Sequence, residues 1–149
     1  MAMHWTSRRT DSRGFTLVEL MVVIVIASIL MAIAIPSYKN SIRKSRRTDA
    51  KTALLDLAGR EERYFSTNGA YSTAFGQLGY PSWGTAFGGG YYTMTAPVVV
   101  AGTATTVASY TLQAVPVVGS DQAKDTACGS FNLTSTGVQT VSGTATDCW

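Results

Sequence analysis

The 149 residues suit one domain with an appendage rather than two domains; 46% of them are hydrophobic, 14% are charged, and the formal net charge is +3. His4 is the only histidine, and Cys128 and Cys148 are the only cysteines. A His-based catalytic triad, a His/Cys zinc site and a His-ligated haem therefore lack their parts, and the apolar and aromatic content argues against disorder. The averages conceal an asymmetry: eleven of the twelve Lys and Arg precede Tyr64, leaving Lys124 alone beyond it.

Residues 1–14 are polar and basic, carrying Arg8, Arg9 and Arg13 against Asp11. The next 21 residues, Phe15 to Ile35, are almost wholly apolar. As an α-helix that run is roughly 30 Å long, the thickness of a bilayer's hydrocarbon core. A plain secretory signal peptide would explain the basic start, the apolar run and the Ala32-Ile33-Ala34 site. The run is too long for that, and Glu19 lies near its start. A carboxylate in an apolar span costs a few kcal/mol unless something pairs with it, and a signal peptide has no use for one; a simple membrane anchor is the other plain alternative.

The stretch Gly14-Phe15-Thr16-Leu17-Val18-Glu19-Leu20 resembles the class III signal of the type IV pilin family. The resemblance extends over the leader, the junction and the apolar helix to Pro36. It implies that a prepilin peptidase cuts after Gly14 and methylates the new N-terminal amine of Phe15. It also implies that Glu19 acts in assembly, pairing with the amine of a neighbouring subunit. Positive charges flank the apolar run on both sides, Lys39 to Arg47 on the far one, so charge counting alone does not orient the span. The resemblance places the leader inside and the C-terminus in the periplasm. The expected sequence of locations is inner membrane first, extracellular pilus fibre after assembly.

Pro36 is expected to break the helix, since it removes one hydrogen bond. From Tyr38 to about Phe65 the apolar residues Ala50, Ala53, Leu54, Leu57, Ala58, Tyr64 and Phe65 recur at helical spacing. Asn68-Gly69 is the expected stop. The basic run of residues 39–47 suits headgroups or neighbouring subunits better than nucleic acid. Residues 67–90 read as a loop segment. Tyr91–Val100 and Val107–Val118 are candidate strands about an Ala101-Gly102-Thr103 turn, and Cys128–Thr134 with Gly137–Val141 form a second candidate hairpin. The expected fold class is α+β: a long N-terminal helix on an antiparallel sheet of about four strands. The expected divisions are a 1–14 leader, a 15–36 transmembrane and assembly helix, a 37–66 amphipathic helix and a 67–149 globular head.

Cys128 and Cys148 enclose the second hairpin; oxidised, they would close a loop worth about 3 kcal/mol in the chain-entropy model. Two free or catalytic thiols are the competing reading, but there is no Cys-x-x-Cys spacing and no histidine to activate them. An exported, oxidising compartment fits the disulfide. The segment from Ala123 to Phe131, the Asp147-Cys148-Trp149 end, and the patches at residues 48–51 and 62–65 are similar to PilE-type minor pilins. By that resemblance residues 128–148 are the D-region of the fibre surface.

Catalysis has little to draw on, since apart from tyrosines and cysteines the ionisable side chains after Tyr64 are Asp121, Lys124, Asp125 and Asp147. No cofactor or metal is expected; the three aspartates lack any calcium-loop spacing. Nucleic acid is disfavoured by a head with one Lys against three Asp, although Arg60, Arg63, Trp83, Tyr91 and Trp149 offer cations and stacking faces. The expected function is a non-catalytic type IV pilus subunit, a minor pilin. Its expected partners are a prepilin peptidase/methyltransferase, other pilins, the inner-membrane assembly platform and the membrane itself. The alternatives are a DNA- or surface-binding minor pilin and a type II secretion pseudopilin. Cleavage after Gly14 would leave nine basic and eight acidic residues, so most of the formal positive charge belongs to the leader.

Overall fold

A computed structural model describes residues 14–80, 86–87 and 89–149. The leader before Gly14 and the candidate stacking residue Trp83 lie outside the described residues. The chain divides into two compact units between Lys39 and Asn40.

Helix α1 runs from Leu17 to Asn68 with Pro36 inside it. The expected break at Pro36 is therefore corrected: one missing amide removes one rung of the ladder, and the rungs on either side continue. The helix ends at the expected Asn68-Gly69 stop, two residues past the 37–66 division. It stops where Gly69, at φ +71°, donates its N–H to the Phe65 carbonyl at 2.8 Å, a left-handed cap that a residue bearing a Cβ adopts poorly.

In the first unit the large side chains from Leu17 to Ile35 are exposed, and no residue of the apolar window is buried. Ser28, the polar residue at its centre, donates its hydroxyl back to the Ile24 and Val25 carbonyls, both at 2.8 Å. That bond satisfies the hydroxyl without water.

In the second unit α1 packs on an antiparallel sheet of strands β1 (Ala86–Phe87), β2 (Tyr92–Met94), β3 (Val98–Val100), β4 (Ser109–Pro116), β5 (Phe131–Thr134) and β6 (Gln139–Val141). Six strands occupy five positions, because β2 and β3 pair with successive halves of β4 along one edge. The expected strand 91–100 is thus split, and Pro97, which lacks an amide, stands in the gap. The expected strand 107–118 is trimmed at both ends. The short β1 is an addition within the expected loop. The second hairpin forms as β5 and β6.

Alternation places Tyr92 and Met94, then Tyr110, Leu112 and Ala114, then Phe131 and Leu133 on the buried face. These join Ala50, Leu54 and Leu57 of α1 with Phe75 and Leu78 in one core cluster. Each fully buried side chain of Leu or Phe size contributes roughly 1.5–3 kcal/mol.

Candidate assembly site and the charged frame of the head

The start of α1 is built by Thr16. Its Oγ1 accepts the Glu19 amide at 3.2 Å, making Thr16 the N-cap and Glu19 the third helical residue of a Thr-x-x-Glu cap. Glu19 is also the acidic residue of the first turn, where the unpaired amides of the helix favour negative charge. The apolar context of Glu19 was legible from sequence; the cap was missed there, although Thr16-Leu17-Val18-Glu19 spells it. Gly14 and Phe15 precede the helix. Nothing lies within 4 Å of a Cβ built at Gly14, and Phe15 is 83% exposed.

The head places a different kind of charge. The buried stripe of α1 is Ala50, Leu54, Leu57 and Glu61, so a carboxylate occupies a position that helical spacing assigns to the core. Glu61 is fully buried. Its Oε2 accepts the Ser72 amide at 3.0 Å, while Oε1 has no partner among the described residues. Burial pushes its carboxyl above the ordinary range, the Ser72 bond opposes that, and Glu62 adds to it. The preceding residue, Arg60, pairs with Asp56 at 2.9 Å, lies over the Tyr80 ring and donates to the Leu78 carbonyl at 3.0 Å. The Tyr80 hydroxyl donates to Asp56, and burial, with that bond, raises Tyr80 to about 12. Together Glu61 and Arg60 tie the segment after α1 to the helix.

At the opposite end of the stripe, two arginines hold the short 3-10 turn Asp121–Lys124 and the residue after it. Arg43 donates from Nε and Nη2 to Asp121 at 3.1 and 3.0 Å. Arg47 does the same to Asp125, both at 2.7 Å. The second pair is the drier one, with side chains 16% and 4% exposed. Bidentate pairs of this kind add direction as well as attraction. Between them the buried Gln122 donates Nε2 to the Tyr92 hydroxyl at 2.9 Å and to Asp125 at 3.0 Å. Arg46, between the two clamps, stacks on the Tyr91 ring with 3.3 Å from guanidinium carbon to centroid.

Cys128 and Cys148 are joined in a disulfide with Cα atoms 5.7 Å apart, and both are buried in the core. Gly143 lets the strap they close lie flat: a Cβ there would stand 2.0 Å from the Ala127 carbonyl oxygen. The C-terminal Trp149 packs edge-on against Phe131 and donates its indole N–H to Thr140 at 3.0 Å. Most of the groups that could serve a metal or nucleic acid are engaged elsewhere. Asp121 and Asp125 face arginines, Tyr91 lies under Arg46, and Trp149 closes the core. No group of three potential metal ligands occurs among the described residues.

Residues 9–35 match a model of the prokaryotic N-terminal methylation motif. Residues 36–132 match a model described as "Type IV minor pilin ComP, DNA uptake sequence receptor". The chain belongs to the type IV pilin family. It is 40% identical over 78 residues to the type IV major pilin protein PilA of Myxococcus xanthus, covering 52% of this chain and 36% of PilA. It is 40% identical over 81 residues to the type IV major fimbrial protein FimA of Dichelobacter nodosus, covering 47% of this chain and 49% of FimA. Over 37 residues it is 65% identical to the prepilin peptidase-dependent protein D of Escherichia coli, a quarter of each chain. The chain therefore spans half or less of the length of these pilin relatives.

Proposed function

We propose that this pilin is a structural, non-catalytic subunit of a type IV pilus, held in the inner membrane by residues 15–36 until it enters an extracellular fibre. The observation that carries the reading is an exposed apolar helix with Glu19 as its sole carboxylate, fixed in the first turn by Thr16. In this reading a prepilin peptidase cuts after Gly14 and methylates Phe15. Glu19 then meets the N-terminal amine of a neighbouring subunit on the assembly platform, and the head with its 128–148 D-region faces outward. An uncompensated charge in apolar packing is costly, so removing one partner weakens assembly more than the intact pair strengthens it. Glu19→Val should leave a folded, membrane-held chain whose recovery in sheared fibres falls by about tenfold or more, a loss of the size expected when a buried pair is broken. Normal recovery overturns the assembly role. The intact mass tests processing: a mature chain starting at methylated Phe15 supports it, and one starting after Ala34 defeats it.

A minor-pilin role follows the description of the matching 36–132 model, and that same description favours a second reading, DNA binding by the head. Four of the head's cations oppose it by their placement. Arg43, Arg47 and Arg60 are engaged by aspartates, and Arg46 is stacked on Tyr91. Salt-sensitive retardation of duplex DNA by the purified chain would support this reading; no retardation at low salt would remove it.

A further inference from the structure

Within the head, β3 pairs only with β4 among the described residues. In an antiparallel ladder the N–H and C=O of one residue point the same way, and successive residues alternate. The Tyr110 carbonyl accepts the Ser135 amide at 3.0 Å on the β5 side of β4, and the Gln113 carbonyl accepts the Thr95 amide at 3.0 Å on the other side. Ser109 and Thr111, in step with Gln113, therefore turn toward β3, where they oppose Val100 and Val98. Val99 opposes Tyr110, so its own N–H and C=O turn away from β4, toward the outer edge of the sheet.

The side chains of β3 sort with the same alternation. Val99 packs partly against the core, while Val98 and Val100, on the other face, are 66% and 47% exposed. A cleft of about 420 Å³ separates Val99, Val100 and Ala101 from Phe65, Ala70 and Tyr71 at the end of α1. None of its lining residues is charged, and the sequence holds no Lys, Arg, His, Asp or Glu between Arg63 and Asp121. Natural sheets guard exposed edges with charge, lysine above all. This edge has none.

We propose that β3 pairs antiparallel with β3 of a second copy of this chain, about a two-fold axis at Val99. A partner for this edge must be extended, β-forming and uncharged, because the cleft offers no counter-ion. Val98-Val99-Val100 of another copy meets each requirement. In that register the two Val99 residues exchange both of their outward hydrogen bonds. Val98 of each copy lies opposite Val100 of the other, so four exposed valines cover one another. Residues directly opposite share a face, so each Val99 side chain is also aimed at the Phe65 and Tyr71 wall of the other copy's cleft. Pro97, having no amide, ends the ladder on one side. A two-fold pair closes on two copies and does not extend.

The test uses the full chain in a mild detergent, with sedimentation for the number of copies and NMR amide exchange for the edge. The chain should reach a dimer, and exchange at Val99 should slow by about fivefold at about ten times the dissociation constant, by mass action alone. Val98→Lys sets two ammonium groups as diagonal neighbours on one face and should weaken association by about tenfold or more. Val98→Thr, uncharged and β-branched, should still dimerise; Val98 is exposed, so both variants should melt as wild type does. Dimers that form equally well in Val98→Lys, or in which Val99 exchanges freely, would put the contact elsewhere on the chain and overturn the pairing. So would a chain that stays monomeric, or one that assembles beyond two copies. Protection of Val99 that ignores concentration would mean a cover within the chain itself, and would overturn it too.

Discussion

The helical segment of residues 17–35 and the head that begins at Asn40 handle charge in opposite ways. The first exposes its whole apolar surface and admits one carboxylate, kept at the helix start where unpaired amides receive it. The second surrounds its apolar core with ionic contacts: the Arg43 and Arg47 clamps at one end of the stripe, Glu61 at the other. A segment destined for lipid or for other helices has no stable interior to protect, so its single charge is free to specify contact between molecules. In the proposed reading the head stands alone outside the membrane, and its buried charges are spent on holding loops to a helix. The contrast separates variants that change melting from variants that change assembly.

The sharpest test of the contrast is Arg47→Ala. It strands Asp125, whose side chain is only 4% exposed, and should cost about 3 kcal/mol in denaturant unfolding. Arg43→Ala, whose partner Asp121 is 35% exposed, should cost under about 1 kcal/mol. Equal losses would break the idea that burial sets the strength of the two clamps. Replacing both cysteines with serine removes the loop constraint around β5 and β6 and should cost about 3 kcal/mol, measured the same way without reductant.

Glu61→Gln isolates the second end of the stripe. Because burial raises the Glu61 carboxyl, the folded chain holds its proton more tightly than the unfolded one. Stability from this group is fully present below the ordinary carboxylate range and falls as pH rises through it. The glutamine variant keeps an acceptor for Ser72 and should flatten that fall, gaining on wild type as pH rises from mildly acidic to neutral. A parallel pH profile for the two proteins would refute the assignment. The smallest effect belongs to the apolar segment: Thr16→Ala removes the cap, worth about 1 kcal/mol locally. It should loosen amide-exchange protection at Glu19 and leave the melting of the head unchanged.

The sheet and the long helix were legible because their signals are local. Tyr110, Leu112 and Ala114 alternate, Gly69 follows the last helical residue, and the apolar run speaks through length alone. The junction was legible through a motif. What escaped depends on partners distant in sequence. Glu61 reads as a surface residue until Ser72 folds over it, and the arginine run reads as a solvated stripe until Asp121 and Asp125 arrive 78 positions later. Pro36 misled in the other direction, since a residue that removes one hydrogen bond was expected to break the helix there, and the helix runs through it.

The clamps share a spacing whose consequence reaches into folding. Arg43 and Arg47 are four residues apart, as are Asp121 and Asp125, and Lys51 continues the basic series by four more. Sliding the turn by one helical turn would therefore still set opposite charges against each other, Arg47 with Asp121 and Lys51 with Asp125. Net attraction alone leaves the two alignments nearly degenerate. Lysine, however, cannot supply the planar two-pronged grip that Arg47 gives Asp125, and Gln122 would lose the Tyr92 hydroxyl. The ratchet has two teeth, and hydrogen-bond geometry decides which one catches.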